Sequence, residues 1–149
     1  MVISMNLRLQ DIRENMELSQ KEVADILKVS QPTYSRWEKE VEIIPLSKII
    51  LLASYYNVSL DYICNLSNIK KENKIYIYKI DKKISGNNIV SFRKEQNITQ
   101  KELALFLNTT PSTICAYEKG KTFILTSFAF QICKKYSVSM DYISGITKK

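Results

Sequence analysis

Side chains suited to covalent or acid–base chemistry are scarce in this chain of 149 residues. Histidine is absent, which removes imidazole triads, imidazole general bases and histidine-built zinc sites. Cys64, Cys115 and Cys133 form no Cys-x-x-Cys pair and have no supporting base. They read as small, buried, apolar residues of a reducing compartment. Gly86, Gly120 and Gly145 lie far apart, so no glycine-rich phosphate loop can be assembled. Carboxylates are scattered rather than paired. No enzyme activity, metal or cofactor is therefore expected. What the chain offers instead is charge: 22 Lys+Arg against 15 Asp+Glu, a formal +7, which favours a polyanionic partner. No apolar run approaches the ~20 residues of a membrane span, and the first ten residues lack the basic flank and apolar core of a secretory signal. A cytoplasmic protein with no membrane partner is expected.

The elements that must position any site come in duplicate. Segment 9–66 falls on segment 89–146 without a gap. Identities include Arg13/Arg93, Gln20-Lys21-Glu22/Gln100-Lys101-Glu102, Ala24/Ala104, Leu27/Leu107, Thr33/Thr113, Glu38-Lys39/Glu118-Lys119 and Asp61-Tyr62-Ile63/Asp141-Tyr142-Ile143. An ungapped repeat of this length means two copies of one folding unit. Each is about sixty residues, near the lower limit for a self-sufficient core.

Within each unit the apolar spacing is helical. Leu9, Ile12 and Met16 form one stripe, Val23, Ala24, Ile26 and Leu27 a second, Tyr34 and Trp37 a third. Ile49, Ile50, Leu52, Ala53 and Tyr56 form a fourth, and Leu60 with Ile63 a fifth. Start signals separate them. Ser19 with Glu22, and Thr99 with Glu102, have capping-box spacing. Ser30 and Thr110 suit the start of the third helix, with Pro32 and Pro111 tolerated in its first turn. Ser59 and Ser139 suit the start of the fifth. Five short helices per unit are expected. Between the units, residues 67–86 are lysine-rich around strong strand formers, giving a candidate strand at 75–79 that either pairs, with Val2-Ile3 or with a second chain, or packs as an extended linker.

The pattern from Ser19 to Glu38, with Gln20, Ala24, Leu27, Val29, Ser30, Tyr34 and Trp37 at their spacings, resembles the helix-turn-helix of the XRE/Cro family of phage-type repressors. Thr99 to Glu118 resembles it again. The resemblance extends through the fourth and fifth helices of each copy. It implies an all-α fold: two tandem five-helix lambda-repressor-like domains, at 6–66 (motif 20–39) and 87–146 (motif 100–119), joined by the linker 67–86. The residues make physical sense of it, because Ala24 and Ala104 let two helices cross closely and Tyr34 with Trp37 turn inward. Gln31, Thr33, Ser35, Arg36 and Lys39 are left facing out. Where many relatives carry glycine in two turns, the first unit has Lys28 and Glu40. These residues tolerate positive φ poorly, so reshaped loops are expected there.

The resemblance implies that the third helix enters the major groove of double-stranded DNA, with Gln31, Thr33, Ser35 and Arg36 at base edges. Gln suits adenine and Arg suits guanine. Gln20 and Lys39 are expected at phosphates. In the second copy the corresponding candidates are Gln100, Ser112, Thr113, Lys119 and Lys121. Arg13 with Glu38, and Arg93 with Glu118, are expected to pair structurally.

The copies differ in charge. Residues 1–66 carry seven basic and nine acidic side chains, residues 67–86 six and two, and residues 87–149 nine and four. The first unit has the better base-reading set and is expected to select bases; the second and the linker are expected mainly to supply phosphate affinity. The expected role is a sequence-specific transcriptional regulator that represses by occupying an operator. Two units in one chain can imitate a two-fold dimer, and a homodimer of whole chains is equally allowed; the linker reaches up to roughly 66 Å, enough for half-sites ~34–36 Å apart. The alternative is an antitoxin-like or other interaction module whose helical units grip a protein partner.

Overall fold

A computed structural model describes residues 4–70 and 81–146. The candidate strand at 75–79 and its Val2-Ile3 partner lie outside the described residues. The chain divides into two compact units, one holding residues 4–70 and the other residues 81–146. Among the described residues every regular element is a helix.

Unit 1 contains α1 (Leu9–Asn15), α2 (Gln20–Ile26), α3 (Gln31–Glu38), α4 (Leu46–Tyr56) and α5 (Leu60–Ile63). Unit 2 repeats the order with α6 (Lys82–Glu95), α7 (Gln100–Leu107), α8 (Pro111–Glu118), α9 (Thr126–Tyr136) and α10 (Met140–Ile143). The starts are built by the expected chemistry. The Glu22 N–H donates to Ser19 Oγ at 3.1 Å while the Ser19 N–H donates to Glu22 Oε1 at 3.3 Å, and Thr99 with Glu102 does the same at 3.1 and 3.2 Å. Ser30 and Thr110 accept from the Thr33 and Thr113 N–H groups, and Ser59 and Ser139 cap α5 and α10. Each cap of this kind contributes about 1 kcal/mol.

The core of each unit is made by the inward stripes. Leu9, Val23, Leu27, Tyr34, Ile49, Leu52, Leu60 and Ile63 are buried in unit 1, and Ile89, Leu103, Leu107, Ile114, Ile132, Met140 and Ile143 in unit 2. Ala24 and Ala104 are 1% exposed where α2 packs on α3 and α7 on α8. Any larger side chain there would push apart the two helices that define the motif.

Two expectations need correction. The turns of unit 1 are not reshaped: Lys28 (φ 57) and Glu40 (φ 55) take the left-handed conformation also found at their counterparts Asn108 (φ 58) and Gly120 (φ 71). The closure overrides residue preference. The Val29 N–H reaches the Ala24 carbonyl at 3.0 Å and the Val41 N–H reaches the Arg36 carbonyl at 3.0 Å, as Thr109 and Lys121 do to Ala104 and Ala116. These bonds satisfy carbonyls at the helix end, while the left-handed backbone costs roughly 1–2 kcal/mol at each non-glycine position. Cys115 also departs from the buried reading. Cys64 and Cys133 are buried, but Cys115 is half-exposed on α8.

α6 begins within the segment read as linker. Asp81 caps it, its Oδ1 accepting from the Lys83 and Ile84 N–H groups at 2.9 and 3.3 Å. The added turns lie against the ends of α8 and α10 at all three glycines of the chain. A Cβ on Gly86 would stand 2.5 Å from the Tyr117 carbonyl oxygen, one on Gly120 3.0 Å from Lys83 Cα, and one on Gly145 2.7 Å from the Ser85 nitrogen. Ser85 Oγ donates to the Ile143 carbonyl at 2.7 Å. In unit 1 the equivalent carbonyl, Ile63, takes the backbone N–H of Arg8 at 2.8 Å. The positions matching the glycines are Asn6, Glu40 and Asn65. There the Met5 N–H donates to Glu40 Oε1 at 2.8 Å and Arg8 Nη2 donates to Asn65 Oδ1 at 2.8 Å.

Candidate nucleic-acid interface

α3 presents the polar face that its inward Tyr34 and Trp37 leave behind. Gln31 and Lys39 are exposed, and Thr33, Ser35 and Arg36 are half-buried. The face is held from behind by a relay of hydrogen bonds. Arg13 Nε donates to Glu38 Oε2 at 2.6 Å, Arg13 Nη2 to Glu38 Oε1 at 3.1 Å, and Arg13 Nη1 to the Leu18 carbonyl at 2.9 Å. Gln20 Nε2 donates to Glu38 Oε1 at 3.3 Å, and Gln20 Oε1 accepts from Gln31 Nε2 at 2.7 Å. Gln31 is thus tethered through one N–H. Its amide oxygen and second N–H stay available, which is the acceptor-plus-donor pattern that matches an adenine edge.

The Glu38 side chain is only 2% exposed. Burial pushes its pKa up, but the Arg13 and Gln20 hydrogen bonds, the Arg13 charge and the neighbouring Tyr34 hydroxyl outweigh it and hold the carboxyl below the ordinary range. The same contact raises the Arg13 pKa. Burial raises the Tyr34 hydroxyl strongly, with Glu38 adding to it, and pushes Tyr56 up to about 12. Arg13 and Glu38 therefore face inward, as the frame on which the relay is built.

Arg36 is tied at one edge. Its Nε donates to Glu42 Oε1 at 2.8 Å and its Nη2 to Thr33 Oγ1 at 3.3 Å. Thr33 Oγ1 also lies 2.8 Å from Ser30 Oγ, so Thr33 is a buttress as well as a surface group. Glu42 and the Gln20–Gln31 contact were not found from the sequence. The only available signal was an acidic residue six positions beyond Arg36, in a loop whose path periodicity does not describe.

Unit 2 keeps the frame and changes the face. Arg93 Nε donates to Glu118 Oε2 at 2.8 Å and Nη1 to the Ile98 carbonyl at 3.1 Å, and Gln100 Nε2 donates to Glu118 Oε1 at 3.0 Å. Pro111 stands where Gln31 does, so Gln100 has no amide to hold at that position. Ala116 stands in place of Arg36 and Cys115 in place of Ser35. The result is an open hollow of about 350 Å³ lined by Gln100, Pro111, Ser112, Cys115, Ala116, Lys119 and Lys121. Ser112, Lys119 and Lys121 are exposed around it and Thr113 is half-buried, with Thr113 Oγ1 2.9 Å from Thr110 Oγ1. Among the described residues no group of His, Cys, Asp or Glu could hold a metal ion, and no helix is long and apolar enough to cross a membrane.

A helix buttressed this way, twice in one chain, defines a class of protein, and the family comparison agrees. The helix-turn-helix family model matches residues 9–63 and again residues 89–143. The chain belongs to that family, in its XRE-like branch. Similar curated proteins include the HTH-type transcriptional regulator YobD of Bacillus subtilis (strain 168), 33% identical over 61 residues, which are 41% of this chain and 54% of that one. The antitoxin PezA of Streptococcus pneumoniae serotype 4 is 35% identical over 63 residues, 42% of this chain and 40% of its own. The HTH-type transcriptional regulator ImmR of Bacillus subtilis (strain 168) is 28% identical over 72 residues, 48% of this chain and 57% of its own. The chain spans about half the length of these relatives. No solved structure gives a significant match.

Proposed function

We propose that this protein is a sequence-specific double-stranded DNA-binding regulator that acts by occupying an operator. The observation that carries the reading is the relay Arg13–Glu38–Gln20–Gln31, which pre-orients an exposed amide at the start of α3, the helix that also carries Arg36. Fixing a long side chain before binding lowers the ordering cost at the interface by about 0.5–1.5 kcal/mol. Gln31 and Arg36 read bases, with Thr33 and Ser35 beside them; Gln20 and Lys39 contact phosphates. In unit 2, Lys119 and Lys121, with Gln100, Ser112 and Thr113, supply mainly backbone affinity around the hollow, because no long bidentate donor stands in the first turns of α8.

The test is selection of bound sequences from a random duplex pool with the intact chain. Binding to the selected site, and not to random duplex, at moderate salt supports the reading. Arg36→Ala should relax the preference at one base position by about 1–3 kcal/mol. Lys119→Ala with Lys121→Ala should weaken specific and random duplex alike and flatten the salt slope by about 0.9 per lost contact. If both changes act identically on both duplexes, the division of labour between the units is wrong.

The likeness to an antitoxin favours a second reading, in which one or both units grip a protein partner. Absence of any duplex binding at low salt would select it.

A further inference from the structure

We infer that Glu42 is a specificity-determining residue that acts through Arg36. Its carboxylate occupies the Nε edge of the guanidinium, so that Arg36 is spent poorly on phosphates and well on a base edge. The inference rests on the reading of α3 as the base-reading helix.

Stability does not explain the pair. The Arg36 side chain is 44% exposed and that of Glu42 51% exposed, and an ion pair this open contributes little to folding. Unit 2 builds the same turn on the same backbone with Ala116 and Thr122 at the two positions. The fold therefore needs neither residue, and both are lacking together where no long reading side chain exists.

The geometry gives the pair a use. With Nε on Glu42 and one Nη2 hydrogen toward Thr33 Oγ1, both hydrogens of Nη1 and the second of Nη2 remain. That end of the fork can meet two acceptors side by side, as guanine O6 and N7 present them. A phosphate can be met by the same fork, but only by bringing the Glu42 carboxylate toward a polyanion. The repulsion acts on every backbone register, whereas the base contact gains the fixed direction. Discrimination comes as much from weakening the wrong complex as from strengthening the right one.

The experiment uses the intact chain, a duplex selected from the random pool, and a scrambled duplex of the same length. Circular dichroism and Trp37 fluorescence check that each variant is folded. Glu42→Gln should raise affinity for the scrambled duplex several-fold, steepen its salt slope by about one contact, and lower the selected-to-scrambled ratio tenfold or more. Glu42→Asp keeps the charge but falls one methylene short of Nε, so the salt slope should stay while the ratio falls. In an Arg36→Ala background, Glu42→Gln should leave the ratio unchanged. A ratio within twofold of the parent for Glu42→Gln, or the same loss with Arg36 absent, overturns the inference. A parent chain that does not distinguish the two duplexes overturns the DNA reading itself, and this inference with it. A parent that discriminates and a variant that equals it overturn the role of Glu42 alone.

Discussion

Gly86→Ala sets two opposing effects against each other, and the structure decides between them. Gly86 lies inside α6, where alanine is the better helix former by about 0.5–1 kcal/mol. Against this, the new Cβ would stand 2.5 Å from the Tyr117 oxygen and 2.6 Å from the Glu118 oxygen. An ordinary carbon–oxygen contact is about 3.3 Å, so α6 must retreat by roughly 0.8 Å. Both obstructing atoms are backbone carbonyls of α8 and cannot rotate aside. Overpacking of this kind costs about 1–3 kcal/mol, and the retreat also stretches the Arg93–Glu118 pair, which joins the same two helices at 2.8 Å. The net expectation is a loss of about 1–2 kcal/mol from unit 2. In a domain this small it lowers Tm by roughly 5–10 °C. Urea unfolding separates the units, because the single tryptophan, Trp37, reports unit 1 while circular dichroism reports both. Part of the dichroism should be lost at lower urea with the Trp37 midpoint unmoved. A dichroism midpoint equal to or above that of the parent would mean that helix preference has won, and would refute the close approach of α6 to α8.

Other changes test the frame of unit 1. Lys28→Asn places at the left-handed turn the residue that unit 2 carries there, and should raise the Trp37 unfolding midpoint by the equivalent of roughly 0.5–1 kcal/mol. Arg13→Ala strands a buried carboxylate and should cost about 3–5 kcal/mol at neutral pH, read by the same fluorescence. The Glu38 pKa is depressed in the folded state, so its contribution is full above the ordinary value of 4.5 and is lost as pH falls through the lower folded value. Glu38→Gln should therefore be less stable than the parent at neutral pH and close to it in acid. A stability gap that stays constant from pH 7 to acid would refute the linkage.

Much of this was legible because it depends on local rules. A serine or threonine three residues before a glutamate has one obvious use at a helix start, and both copies use it so. Ala24 and Ala104 declared a close crossing because small residues sat among large ones. The outward face of α3 followed once Tyr34 and Trp37 were turned inward. What escaped was contact between side chains whose separation no period sets. The Gln20–Gln31 bond bridges two helices, and Glu42 meets Arg36 from a loop. The left-handed Lys28 and Glu40 escaped for the opposite reason: residue preference argued against them, and the hydrogen bonds closing the helix ends prevailed. The start of α6 is written in Asp81 ahead of Lys82, Lys83 and Ile84, a serviceable cap, but one set in a lysine-rich stretch whose composition is that of a linker.

The three glycines bear on how a duplicated chain avoids confusing its halves. Repeats with one backbone invite exchange, in which the leading helix of one copy settles on the other, a recognised hazard of multidomain chains. Here the two docking seams differ at the positions of the three glycines. The leading helix of the second half needs bare backbone at positions 120 and 145, and would meet the Glu40 and Asn65 side chains in the first. The leading segment of the first half uses those same two side chains as acceptors for the Met5 N–H and Arg8 Nη2, and would find glycine at both positions in the second. Sorting is thus written into the places where one copy has glycine and the other does not, and each half closes on its own beginning.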